Sequence, residues 1–323
     1  MQKFICLLSI TAAMLPAATV TAEHRPAATH EPTLEAQPVS YFQTPFEPGG
    51  ENGELIFVTV RLNGEEVPFV LDTGAPTVIL NTAHFPENED GSANGAAYGV
   101  SGPVEMRSIN IESFDWHGLR LHNTALIGLD LSHLETATGS EIVGLIGFDT
   151  VQDFELLIDY EAKQLTLFRP GAANFHGGIR PEATIPFTLE AHIPVVDASI
   201  GGKAMRLGID TGAGVNLLDK PSFERLDATA DYVAKATDVL HGADKNETTV
   251  PLIEVEATRV DTVELDSMVY SVADISHLNS GYGLQIGGLL GYPFLSQHKT
   301  SINFADEKIH LWDAEAEIEA SVR

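Results

Sequence analysis

The chain is poor in cysteine and in positive charge. Cys6 is the only cysteine among 323 residues. A disulfide framework is therefore excluded, and so is a metal site built from thiolates. Lys and Arg number 18 against 46 Asp and Glu, a net charge of −28. A surface this acidic repels phosphate backbones rather than releasing their counterions, so neither nucleic acid nor an anionic membrane surface is an expected partner. No apolar stretch beyond the N-terminal one is long enough to span a bilayer. What remains is ordinary for a folded protein: 44% hydrophobic and 20% charged residues, at a length that suits two lobes.

Residues 1–22 read as an export signal. Lys3 is the short positive region, Phe4 to Ala13 the apolar core, and Val20-Thr21-Ala22 a small-residue cleavage site. An uncleaved anchor is the alternative, weakened by Pro16 and by Thr11, Thr19 and Thr21. Cys6 lies inside this segment without the small residues upstream that lipid attachment needs. Cleavage leaves no cysteine, which fits a periplasmic or secreted protein with no membrane contact. Residues 23–50 carry Pro26, Pro32, Pro38, Pro45 and Pro48 and read as an extended, mobile lead-in, either a removable pro-segment or a tether.

The rest is one unit written twice. Val58, Val60 and Leu62 alternate with Thr59 and Arg61, the period of a half-buried strand. Asn63-Gly64 then turns the chain back through Val67 to Leu71, ending at Asp72. The same phrase recurs at Val195–Ile200, Gly201-Gly202 and Met205–Ile209, ending at Asp210. Both copies close with Asp-Thr-Gly-Ala, 138 residues apart. At an offset of 144, Asp130-Leu131-Ser132-His133-Leu134 answers Asp274-Ile275-Ser276-His277-Leu278, and Gly144-Leu145-Ile146-Gly147 answers Gly288-Leu289-Leu290-Gly291. Such self-similarity marks an internal duplication. It divides the chain into lobe 1 (51–170), a connector (171–183), lobe 2 (184–313) and an acidic tail (314–323). Short strands and turns dominate both lobes, so the expected class is all-β with two barrel-like lobes. Ser132 and Glu135 have capping-box spacing, which predicts a short helix in lobe 1; Asn279 weakens that signal in lobe 2.

An apolar strand that delivers a carboxylate needs something to hold the charge. Gly74 and Gly212 permit a sharp turn that brings N–H groups to it, and Thr73 and Thr211 can tie down the loop. Two such loops can meet across a pseudo-twofold axis. Facing carboxyls do not both ionise, so one holds a proton while its partner stays charged, the pairing that general acid–base work on water requires.

These residues resemble a retropepsin-type aspartic protease with two domain copies fused in one chain. The resemblance rests on both Asp-Thr-Gly-Ala motifs and both later glycine elements, and spans 51–313. It implies pseudo-twofold-related acid-protease barrels and Asp72 and Asp210 as the catalytic pair. It implies Thr73, Gly74, Ala75, Thr211, Gly212 and Ala213 as loop support, and Leu145, Ile146, Gly147, Leu289, Leu290 and Gly291 as elements packed beneath. Flap hairpins are expected over the cleft, with Tyr98, Gly99 and Gly102 in one and His241 and Gly242 in the other. Pro76 and Gly214 stand where the family commonly has a small hydroxyl residue. The implied activity is an aspartic-type endopeptidase acting on peptide or protein substrates, without cofactor. The implied state is a pseudo-dimeric monomer, a homodimer with two dyads being the variant. A peptide-binding module that keeps the fold without catalysis is the alternative.

Other residues carry less. His133 and His277 occupy equal positions and read as a shared turn or cap. The remaining histidines are scattered, and no His-Glu-x-x-His pattern exists, so no metal is predicted. Ser101, Gly102 and Ser140 lack a nucleophile-elbow context. Trp116 and Trp312 read as packing residues, and the acidity as a solubility feature that favours basic or neutral substrates.

Overall fold

The computed structural model describes residues 3–5, 40–86, 95–99, 102–169, 176, 179–227, 231–313, 316 and 318. Each lobe begins with the predicted hairpin. Leu55–Leu62 pairs with Glu65–Leu71 around Asn63 and Gly64, both at positive φ (50° and 89°). Ile193–Ile200 pairs with Lys203–Ile209 around Gly201 and Gly202 (54° and 73°). Two consecutive residues in the left-handed region match the twist of the strands they join, which is why Asn-Gly and Gly-Gly stand there.

The glycine elements are then threaded beside these strands. Gly144–Ile146 runs parallel to Phe69–Leu71 and antiparallel to Ile79–Leu80. Gly288–Leu290 repeats this against Leu207–Ile209 and Leu217–Leu218. Lobe 1 forms an eight-stranded sheet and lobe 2 an eleven-stranded one. Lys3–Ile5, within the proposed export signal, adds in parallel to Val239–His241 at the edge of the latter.

A third sheet of six strands joins the lobes. At its centre Glu155–Asp159 of lobe 1 pairs with Lys299–Asn303 of lobe 2. Gln164–Phe168 and then Tyr41–Pro45 extend it on one side, Lys308–Trp312 and then Ala183–Pro186 on the other. The end of the Pro-rich lead-in is thus folded, where the sequence reads as mobile. Phe42 and Phe46 are buried, while Pro45 and Pro48 sit in the terminal strands Tyr41–Pro45 and Glu47–Gly49, where a missing N–H is tolerated.

Helices are few. Ser132–Thr138 and Ser276–Tyr282 occupy matching places, each closed by a glycine at φ 68° (Gly139 and Gly283). The capping box expected from Ser132 and Glu135 is not formed. Asp130 Oδ1 instead takes the Ser132 N–H and hydroxyl (3.1 and 2.6 Å), and Glu135 accepts the Ile142 N–H (2.8 Å). Asn279 bonds the backbone of Ile286, the residue equivalent to Ile142, which is why lobe 2 keeps its helix without a glutamate. Trp116 and Trp312 are fully buried. Among the described residues no helix is long and apolar enough to cross a membrane.

Candidate active site

Each aspartate leaves a fully buried strand end and is caught at once by its glycine element. The Asp72 N–H donates to the Ile146 carbonyl (2.9 Å) and the Asp210 N–H to that of Leu290 (3.1 Å). In return the Phe148 N–H donates to Ala75 O and the Tyr292 N–H to Ala213 O, both at 2.8 Å. A Cβ on Gly147 would stand 2.2 Å from Thr77 O, and one on Gly291 2.1 Å from Ala213 O. Glycine is thus the residue that lets these backbones cross.

The two loops interlock through their threonines. The Thr73 N–H donates to Thr211 Oγ1 (3.0 Å) and the Thr211 N–H to Thr73 Oγ1 (3.1 Å), while the Thr211 hydroxyl donates to Leu71 O (3.0 Å). This sets Asp72 and Asp210 face to face, both at zero exposure. Gly74 N–H is shared between Asp72 Oδ1 (2.9 Å) and Asp210 Oδ1 (3.0 Å). Ala75 N–H adds a bond to Asp72 Oδ1 (3.1 Å), and Gly212 N–H one to Asp210 Oδ1 (2.8 Å). The carboxyls lie within hydrogen-bonding reach of each other when one is protonated. Oδ2 of each has no other protein partner.

Burial, then the charge of Asp210, pushes the Asp72 carboxyl well above the usual carboxylate range. Burial also raises Asp210, to about 6, while the N–H groups of Gly212 and Gly74 and the Asp72 carboxyl hold its charged form. Both carboxyls are raised by burial and each feels the other, so the pair holds one proton between them, the state expected when like groups share a dry site.

Both flap regions form hairpins. Gly95–Gly99 pairs with the start of Gly102–Trp116, with Tyr98 opposite Pro103 and Gly99 opposite Gly102; the Tyr98 side chain lies outside the described residues. Val233–His241 pairs with Glu247–Val255, His241 opposite Glu247, and Gly242 begins the tip. That tip reaches lobe 1. Gly242 O is bonded by His133 Nε2 (2.8 Å), Lys245 meets Asp130 (2.6 Å), and Ala243 is buried in one cluster with Leu55, Val70 and Ala75. In mirror fashion the Ser276–Tyr282 helix, which carries His277, packs against Gly95–Gly99. His133, read as a shared turn or cap, stands in the first turn of Ser132–Thr138 and its imidazole also fastens the other lobe's hairpin. A cavity of about 520 Å³ opens beside this tip, bounded by Thr82, Val104, Arg107, Asp130 and Lys245.

Two features behind the loops escape sequence reasoning. Buried His192, on lobe 2, bonds Gly74 O of lobe 1 through Nε2 (2.7 Å), and burial lowers its pKa so that a neutral ring donates there. The duplication puts Glu54 at the equivalent place, also buried and raised by that burial. Because the repeats differ at this position, no motif flags it. Second, the ring pair Phe148–Phe304 is answered by Tyr160–Tyr292, each at 5.3 Å and near-perpendicular. Burial raises the Tyr160 phenol, and Tyr292 and the Asp210 charge add to the shift; one ring pair thus carries hydroxyls and its counterpart none.

Two Asp-Thr-Gly loops locked by their threonines, each crossed by its own glycine element, define the two-lobed acid-protease class. A family model described as aspartyl protease matches the chain twice, over residues 58–150 and 196–294, one aspartate loop in each match. The matches cover more than half of the chain, and the protein belongs to the aspartyl protease family, with two retropepsin-like copies in one chain. Comparison with curated proteins of known function found no match.

Proposed function

We propose that the protein is an exported endopeptidase that hydrolyses peptide bonds with a water held between Asp72 and Asp210, each chain forming one complete site. The observation that carries this reading is the shared dyad: two fully buried carboxyls facing each other, both raised by burial and both accepting the Gly74 N–H. Asp210, charged, takes a proton from the water as its oxygen attacks the carbonyl carbon. Asp72 donates its proton to the carbonyl oxygen, so the tetrahedral intermediate forms without a covalent bond to the protein. On collapse, the proton now on Asp210 goes to the leaving nitrogen, the C–N bond breaks, and Asp72 recovers its proton from the hydroxyl.

The flap tip over Ala75 supports this by keeping bulk water from the dyad, where a dry site strengthens every charge interaction. The N-terminal segment supports export, and the adjoining threonine bonds within one chain support a monomer. The test is cleavage of a mixed peptide library by residues 23–323 across pH 3 to 8, with Asp72→Asn alongside. Internal cuts by the parent and none by the variant are expected. A folded parent that binds peptides and releases no product would replace the protease reading with the binding module.

A further inference from the structure

Glu155 is the first residue of the central seam strand, and its side chain is 4% exposed. A buried carboxylate must be partnered. Ser301 donates to Oε1 (2.6 Å), Asn303 Nδ2 to Oε2 (3.2 Å), and His176 Nε2 stands 3.1 Å from Oε1. His310, also buried, lies edge-on to His176 with ring centres 5.0 Å apart. One ligating atom from each of Glu155, His176 and His310 falls within 4.8 Å of the others. The three come from lobe 1, the connector and the last strand of lobe 2, in the seam sheet rather than in the sheets that carry the aspartates.

We propose that Glu155, His176 and His310 bind one divalent transition-metal ion of the zinc class, which clamps the connector to the seam between the lobes. Two imidazoles and a carboxylate form a common three-ligand set for that ion, with water as the fourth ligand. Metal–ligand bonds of about 2.1 Å put tetrahedral ligands about 3.4 Å apart. The His176–Glu155 pair at 3.1 Å is already there, and the 4.8 Å outer limit closes by a side-chain adjustment of His310 or His176.

Outer partners of the kind that orient metal ligands are also in place. Thr184 Oγ1 bonds His310 Nδ1 (2.9 Å), and a proton on that nitrogen leaves the Nε2 lone pair available. Ser301, itself bonded by Trp312 Nε1 (3.3 Å), and Asn303 fix the carboxylate. His176 is 31% exposed, which gives an entering ion a path and a water.

The site stands apart from the reading of the dyad, and its test needs no substrate. The untagged full chain is stripped with chelator, then titrated with Zn²⁺, and with Co²⁺ for its visible absorption. Bound metal and thermal unfolding are followed in the parent, His176→Ala, His310→Gln and Asp72→Asn. About one ion per chain is expected, with a rise in Tm of about 4 °C at a hundredfold excess over Kd. Affinity should drop at least tenfold in His176→Ala and in His310→Gln, and be kept in Asp72→Asn. His176 is about a third exposed, on the connector, so its variant should fold even if the other does not. A folded parent that takes up no Zn²⁺, or binding unchanged in His176→Ala, would overturn the proposal and leave a plain His176–Glu155 ion pair. Loss of binding in Asp72→Asn would place the ion at the dyad instead and overturn it too.

Discussion

The loop Asp72–Ala75 and its counterpart Asp210–Ala213 share one frame and differ in what stands behind them. The strand, the turn, the threonine N–H bonds and the glycine crossing repeat to within a few tenths of an ångström, and only Thr211 adds a hydroxyl bond, to Leu71 O. Behind the first loop His192 donates to Gly74 O, while its counterpart in the repeat, Glu54, is buried and accepts the Asn52 N–H of its own lobe. Phenylalanines fill one pair of positions and tyrosines the other. A duplicated chain can thus keep symmetry where geometry is needed and abandon it where two aspartates must play different roles. A homodimer, with one sequence for both halves, has no such freedom.

The largest break in the comparison comes from the carboxyls. Asp72→Asn or Asp210→Asn alone should lower peptide cleavage by about 10²–10⁴, since neither loop can supply both proton donor and acceptor; initial rates on a fixed peptide check this. Next come the threonines. Thr211→Ala removes an acceptor and the bond to Leu71 O together, so it should cost about 1–3 kcal/mol. It should cost more than Thr73→Ala, as denaturant unfolding would show; equal losses would mean the interlock is symmetric.

The pH dependence of stability sharpens the division of roles. Burial holds the folded pKa of Asp210, about 6, above its unfolded value. The protonated dyad therefore favours the fold below about pH 4, and that contribution is lost as pH rises through about 6. Asp210→Asn should raise stability relative to the parent at pH 8 by about 1–3 kcal/mol more than at pH 4; thermal melts at the two pH values test the sign. By the same logic Glu54→Gln should be neutral or stabilising at pH 7, since a raised buried carboxyl with one orphaned oxygen is relieved of its charge. His192→Ala should cost about 1 kcal/mol and lower kcat more than it raises KM.

The smallest effect is expected at the hairpin anchor. His133→Ala removes one bond to Gly242 O but leaves Lys245 on Asp130, so KM should rise about two- to fivefold, an amount worth less than 1 kcal/mol. Asp130→Ala should add to it; an unchanged KM in the double variant would separate the anchor from substrate handling.

Much of this was legible in the chain. The paired Asp-Thr-Gly-Ala motifs and glycine elements located both loops, because a sharp turn and a close backbone crossing demand particular residues at fixed spacing. The Asn-Gly turn located the hairpins for the same reason. The inter-lobe seam was less legible: Tyr41–Pro45 earns its place only through pairing with Gln164–Phe168, more than a hundred residues on, and its prolines argued the other way. His192, Glu54 and the cluster of Glu155, His176 and His310 carry no local pattern at all. His192 lies 118 residues from Gly74 and His310 155 residues from Glu155, so only folding brings them together.

In the proposed arrangement one chain closes one dyad from its own two aspartates. Mixing Asp72→Asn with Asp210→Asn tests it directly. Each variant keeps one intact loop, and chains that paired lobe to lobe would rebuild a complete dyad between them. The mixture is expected to stay as inactive as either variant alone, at every ratio and concentration. Recovery of cleavage on mixing, rising with protein concentration, would contradict it.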